Sequence, residues 1–401
     1  MTFYLILALL TGVLAGTFTG LIPGIHINLI AIILIGFSTT FLNFTFPIIL
    51  IIFIISMSIT HTFLDYIPSI FLGAPDEDTA LSILPGHKLL LKGRGYFAVI
   101  FTLYGSLTAI LVILIFSPLF IKFLPFIYLK INLLIPIILI LVSGFLIITE
   151  KQKMWAIILF ILSGFLGIAS LNLNLKEPLL PLLTGLFGSS NIILSIFQNT
   201  KIPPQKIIPI KKIRLRKKSL IKSIIAAIIS APFTAFLPGL GASQAAVIGK
   251  QITNITDQRE FLFLLGAINT IVMGLSFITF YSINKTRTGA AAAISKLIPS
   301  LSFNNLIYII FTIIISGFLA SFLTIFISKI IAKKINKISY KKISIFILFF
   351  LFGITIYFTG IIGIIIFITS TFLGITTIKI GVKRMHLMGC LIIPTILFYL
   401  I

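Results

Sequence analysis

Apolar stretches long enough to cross a lipid bilayer recur from one end of this chain to the other. Residues 96–120, YFAVIFTLYGSLTAILVILIFSPLF, are one of them and carry no charge. A spanning helix needs ~20 such residues. The repetition predicts an all-α, polytopic integral membrane protein. Composition agrees: 59% of residues are apolar and 10% are charged, against about 45–50% and ~25% in soluble domains. Such a chain cannot cover a water-facing surface. At ~30 residues per span with its connection, the 401 residues allow 10–12 transmembrane helices. Cys390 is the only cysteine, so no disulfide within the chain is possible.

The charge is lopsided, with 31 Lys and Arg against 8 Asp and Glu. The basic residues cluster between apolar runs, where the positive-inside rule and anionic lipid head groups place them. No run pairs basic residues with aromatics on a polar surface, so lipids and not nucleic acid are the expected partner. The N-terminal run lacks a basic n-region and leads directly into a Pro-Gly break. The first helix is therefore expected to stay in the mature protein, at the cell membrane.

Breakers divide the chain into spans at about 2–21, 46–72, 96–120, 131–149, 154–172, 219–237, 240–252, 259–284, 301–332, 343–358, 360–378 and 386–401, with a further stretch after Pro23-Gly24 to about 42. Pro178, Pro181, Gly185 and Gly188 make 178–199 read as a pair of short helices. The most basic segment, KIPPQKIIPIKKIRLRKK (201–218), holds eight cations and no acid. Its prolines forbid a continuous helix, and its charge predicts a cytoplasmic linker. It separates a first transmembrane repeat, 1–200, from a second, 219–401.

The two halves share a motif. FTGLIPG (18–24) and FTAFLPG (233–239) have four identities in seven, and the same offset of 215 aligns Tyr66 with Tyr281. Proline removes a donor and clashes with the preceding turn. A span ending at Pro-Gly frees carbonyls before the break and amides after it, and amides at a helix N-terminus attract anions. Corresponding breaks in two halves point to a transporter binding site; ordinary proline kinks are the alternative. The candidate substrate-binding residues are Pro23, Gly24, His26 and Asn28 in the first half. In the second they are Pro238, Gly239, Gly241, Ser243 and Gln244. His26 can bind substrate, carry a proton or be satisfied by a backbone carbonyl.

Four of the eight acids, Asp65, Asp76, Glu77 and Asp78, fall within fourteen residues. Acids inside a membrane are costly and face a cavity or a partner. Clustered carboxylates suit Na⁺, a proton or a divalent ion; capping the following helix is the competing role. His61 and His87 flank the segment, but the spacing fits no zinc pattern, so no resident metal is expected. The second half has Lys285 and Arg287 where the first has acids. Arg287 can fork onto a carboxylate or phosphate, pair with an acid, or snorkel. No Walker loop, GxSxG or HExxH occurs. The chain is not expected to be an enzyme, and transport would be driven by an ion gradient.

At these residues the chain resembles the large membrane subunit of tripartite tricarboxylate transporters, especially its archaeal single-subunit relatives. The resemblance rests on the two Pro-Gly breaks and on the run from Tyr66 through Pro75, Ala80, Gly86 and Lys92-Gly93. It implies a secondary carboxylate carrier of about twelve spans, with substrate held between the halves at Pro23-Gly24 and Pro238-Gly239. It also implies that a small membrane subunit or a binding protein can be a partner. Where bacterial members of the family have Thr-Pro-Gly-Thr-Pro, this chain has Ala74-Pro75-Asp76-Glu77-Asp78, an odd lining for a tricarboxylate. The expectation is a carrier of an organic anion, coupled to Na⁺ or H⁺ without other cofactors, with two repeats that are more readily inverted than parallel, as a monomer or homo-oligomer. A polyprenyl-phosphate translocase and a non-transporting scaffold subunit are the alternatives.

Overall fold

The computed structural model describes residues 2–22, 46–73, 79, 83–131, 134–175, 177–197, 202–236, 241–337 and 340–400. Every element among them is helical, and the chain is an all-α, multi-pass membrane protein. Among the described residues, seven helices are long and apolar enough to span a bilayer. In chain order the helices are α1 (Thr2–Leu21), α2 (Pro47–Leu64), α3 (Tyr66–Phe71), α4 (Ile83–Leu91), α5 (Gly95–Ile131), α6 (Ile135–Ile148), α7 (Lys153–Asn172), α8 (Leu179–Leu183), α9 (Ser190–Phe197), α10 (Lys217–Phe236), α11 (Ala242–Ile252), α12 (Gln258–Ile283), α13 (Gly289–Leu297), α14 (Phe303–Lys334), α15 (Tyr340–Ile380) and α16 (Gly389–Leu400).

They form two layers with separate cores. The central bundle holds α1–α5 and α10–α14 around Ile55, Phe63, Tyr66, Phe101, Phe263 and Phe277. The outer layer holds α6–α9, α15 and α16 around Leu139, Leu186, Phe187, Leu387 and Cys390.

Small residues set the directions in the bundle. Gly12, Gly16 and Gly20 of α1 abut Phe53 and Ser56, then Met57 and Thr60, then His61 and Leu64 of α2, so the two run parallel. α5 and α12 are also parallel: Thr102 abuts Gly266, Ile113 abuts Gly274, and Ser282 bonds Ile121. α10 joins them, with Ser223 Oγ donating to Glu260 O at one end and Arg287 Nε to Thr234 O at the other. α2 crosses α12 the opposite way, through Thr62–Thr270 and Asp65–Asn269. Between α10 and α12 the chain doubles back as α11, whose Gly249 rests on Ala226 and Ser230 of α10.

Two spans differ from the sequence expectation. α5 continues through Pro118 and Pro125 to Ile131, instead of stopping near 120. Each proline strips a partner from the carbonyl four residues back. Ser117 Oγ donates to the first, Leu114 O, at 3.3 Å, and Ser282 Oγ of α12 donates to the second, Ile121 O, at 3.1 Å. The region 178–199 is not a pair of short helices: α8 and α9 are joined without interruption by a π-helical turn, Thr184–Ser189. The break expected at 358–360 agrees more closely, and the one at 237–240 lies outside the described residues. α15 is folded back on itself at Gly360 (φ 63°, ψ −158°). Phe352 and Phe367 consequently face each other, with ring centroids 6.3 Å apart.

The linker lies extended from 202 to 209 and turns once at Ile210–Lys212. Gly95 N–H donates to Gln205 Oε1 at 2.7 Å, and Lys206 N–H to Gly93 O at 2.8 Å. The first turns of α5, α10 and α12 therefore share one end of the molecule, the linker end.

The outer layer contains a sequence match the motif search missed. IILFILSGFLG (157–167) and IIIFITSTFLG (364–374) share eight of eleven residues. Their contacts are reciprocal. A Cβ on Gly167 would strike Cys390 O and one on Gly374 would strike Leu186 O. Gly389 likewise sits on Phe160 and Ser163, as Gly185 sits on Phe367 and Ser370.

Candidate functional site

The polar residues of the bundle gather where α2 and α12 cross. Asp65 ends α2 and is 3% exposed. Asn269 Nδ2 donates to Asp65 Oδ2 at 2.8 Å, and Asn269 is itself buried. One turn back on α2, His61 Nδ1 lies 3.0 Å from Thr19 Oγ1 of α1. Thr62 and Thr270 hydroxyls are 3.1 Å apart. Ser56, Ser58 and Thr60 are buried on the same helix. In lipid no water satisfies such groups, so each must face a partner or a functional cavity.

A second cluster surrounds α11. Gly241 N–H donates to Gln244 Oε1 at 2.8 Å, closing the helix start. Ser243 and Gln244 are both buried. Gln244 Nε2 has no hydrogen-bond partner among the described residues, although its residue is 0% exposed. α11 packs on α10 and α12 on one side, and its Val247 meets Leu146 of α6 and Met385 on the other. The helix therefore stands between the two layers. Arg287 is drawn to the end of α10 by its bond to Thr234 O at 2.8 Å. The next residue, Thr288, caps α13 through Ala291 N–H and bonds Ser276 Oγ at 2.9 Å. Lys285 is exposed.

Thus Asp65, Gly241, Ser243, Gln244 and Arg287 are placed. Pro23, Gly24, His26, Asn28, Asp76, Glu77, Asp78, Pro238 and Gly239 lie outside the described residues. The sequence reading did not single out Asn269 or Thr270. The available signal was two adjacent hydrogen-bonding residues inside an uncharged 20-residue run, 261–280. Among the described residues no three His, Cys, Asp or Glu side chains converge as metal ligands.

A third group lies at the linker end of the outer layer. Glu150, between α6 and α7, accepts from Lys151 N–H at 2.9 Å and lies 3.2 Å from both Lys383 Nζ and His386 Nε2. Burial pulls its carboxyl upward, but the Lys151 amide, the Lys383 ammonium and the His386 ring outweigh this and leave it below the ordinary glutamate value.

Long apolar helices with buried polar groups where α2 and α12 cross, and a short helix, α11, doubled back beside them, fit a membrane transporter type of architecture. Residues 6–389 match the tripartite tricarboxylate transporter TctA family, and the chain belongs to that family of transporter permeases. It is also 33% identical over 407 aligned positions to an uncharacterized protein of Methanocaldococcus jannaschii, covering 98% of this chain and 99% of the relative. No solved structure matches it.

Proposed function

We propose that the protein is a secondary carrier of an organic anion, a di- or tricarboxylate, driven by Na⁺ or H⁺. The anion is held at the N-terminal end of α11, by the amides that open the helix and by Gln244. The observation that carries this reading is the unpartnered Gln244 Nε2. A buried donor without an acceptor costs about 1–3 kcal/mol. Here it sits at the positive end of a helix dipole, where an anion supplies what is missing. The coupling cation belongs at Asp65, whose carboxylate lies at the crossing of α2 and α12. The halves act as inverted repeats. Support comes from α1 and α2 running one way and α10 and α12 the other, and from the reciprocal glycine contacts of α7 and α15.

Uptake of labelled citrate, succinate and related anions into proteoliposomes tests this. Gln244→Leu is expected to raise KM on the order of ten-fold, the loss of one charge-assisted hydrogen bond of ~1.5 kcal/mol. Asp65→Asn is expected to remove the dependence on a Na⁺ or pH gradient. Unchanged kinetics in both variants, or no uptake of any carboxylate, would remove the carrier reading.

A further inference from the structure

At the linker end, between the central bundle and the outer layer, lies a cavity of about 360 Å³ lined by both. α4 contributes Lys88, and the C-terminal turns of α11 contribute Lys250 and Gln251. The start of α12 supplies Asp257 and Phe261, and the segment before α16 supplies Lys383.

The acids around it are already committed. Asp257 accepts from Arg259 N–H at 2.9 Å and is chelated by the Arg259 guanidinium. Glu150 is taken by Lys383 and His386. Arg384 also lines the cavity, but its guanidinium donates to Phe187 O at 3.1 Å. Among the described residues, that leaves Lys88 and Lys250 with no carboxylate. Lys250 is half-buried with its ammonium 4.9 Å from the Phe261 ring centre. Burial first, and Lys383 second, hold it below the ordinary lysine value. Lys88 on the same cavity wall is exposed; the half-buried Lys250 ammonium, with cations beside it and no counter-ion among the described residues, is a standing electrostatic cost that an anion removes.

We infer that this cavity is an anion site for a compact multivalent oxyanion, a phosphate or a polycarboxylate, held chiefly by Lys88 and Lys250. Its binding stands on the cavity itself; its role in transport rests on the carrier reading. Gln244 and Lys250 occupy one helix, six residues and ~9 Å apart along its axis at 1.5 Å per residue. The cavity then forms the linker-end vestibule from which the anion passes to Gln244.

The test uses the full chain in nanodiscs, with Thr256→Cys as a reporter on the exposed cavity wall. The native Cys390 is buried. A negatively charged methanethiosulfonate should react on the order of ten-fold faster than a cationic one, because the cavity focuses anions. Millimolar citrate or inorganic phosphate should suppress that rate in phosphatidylcholine nanodiscs. Protection seen only when phosphatidylglycerol is included assigns the oxyanion to a lipid head group. Lys250→Gln should abolish the charge preference and the protection, and Lys250→Arg should keep both. Absence of protection by citrate, phosphate and anionic lipid alike overturns the site, as does full protection in Lys250→Gln. Protection that persists while proteoliposome uptake fails would leave this site standing and remove only the carrier reading.

Discussion

α12 and α7 are apolar to nearly the same degree, yet 89% of the spanning stretch of α12 is buried and only 33% of that of α7. Hydropathy therefore does not decide which helix is central, because lipid tails are as apolar as leucine. Small and polar side chains decide it. α12 carries Asn269, Thr270, Ser276 and Thr279 over about half of its circumference, and each is buried, as are Ala267, Ile271 and Ile278 on the other side. α7 carries Ser163, Gly167 and Ser170 on one stripe, while Phe165 and Leu162 on the opposite side are exposed. The first pattern needs neighbours all round, and the second needs one neighbour and a bilayer.

The largest difference is expected from enlarging one glycine in each layer, the first packed on a neighbouring backbone and the second facing open space. Gly266 of α12 lies against the Thr102 carbonyl, with no room for a Cβ. Gly266→Leu should prise α5 from α12 and cost several kcal/mol, beyond the ~1–3 of ordinary overpacking because backbone must move. Gly144 on α6 faces open space, so Gly144→Leu should stay within ~0.5 kcal/mol. Gel-filtration profile and thermal midpoint in detergent check both. Equal behaviour would mean the two layers are equally tolerant.

Next in size is Gly360→Ala. The Gly360 conformation, φ 63° and ψ −158°, belongs to a region almost restricted to glycine, and a side chain there costs about 1–3 kcal/mol. The strain should loosen the outer layer alone. Cys390, buried where α16 meets α7, should become reactive to thiol reagents before the central bundle unfolds. Simultaneous loss of both layers would show that they unfold as one unit. A smaller effect is expected for Thr270→Val, which removes the Thr62–Thr270 bond. Single polar contacts between membrane helices average ~0.6 kcal/mol, and the thermal midpoint should fall accordingly.

The spans were legible because a bilayer imposes length and apolarity on each one, so 2–21 and 154–172 fall within a residue or two of α1 and α7. Membership of the transporter family was legible from the residues around the Pro-Gly breaks. The passage of α5 through Pro118 and Pro125 was not, because the serine that rescues Ile121 O sits 161 residues further on, at 282. The closest internal match was missed for a related reason. The offset of 215 found at the Pro-Gly motifs shortens to 207 between 157–167 and 364–374, so a fixed-offset comparison passes over it. At the site, Asp65 was singled out by the rarity of acids, whereas Asn269 is uncharged and shows its role only across the helix crossing.

The smallest effect expected is a dependence of the outer layer on pH. The carboxyl of Glu150 is held below the ordinary glutamate value in the folded chain. A depressed carboxyl contributes stability that is fully present above its unfolded pKa of ~4.3, and loses it as pH falls through the lower folded value. Lys383, one of its partners, is half-exposed, so solvent screening keeps the contribution small. Asp257 is held down in the same sense, first by its hydrogen bond from Arg259. Acid alone therefore loosens two places, and only the difference between wild type and Glu150→Gln isolates one. Cys390 reactivity in wild type should rise between about pH 5 and pH 3, and in Glu150→Gln the rise should be reduced. An identical acid profile in the two proteins would show that Lys383 and His386 do not hold the outer layer's linker end through Glu150.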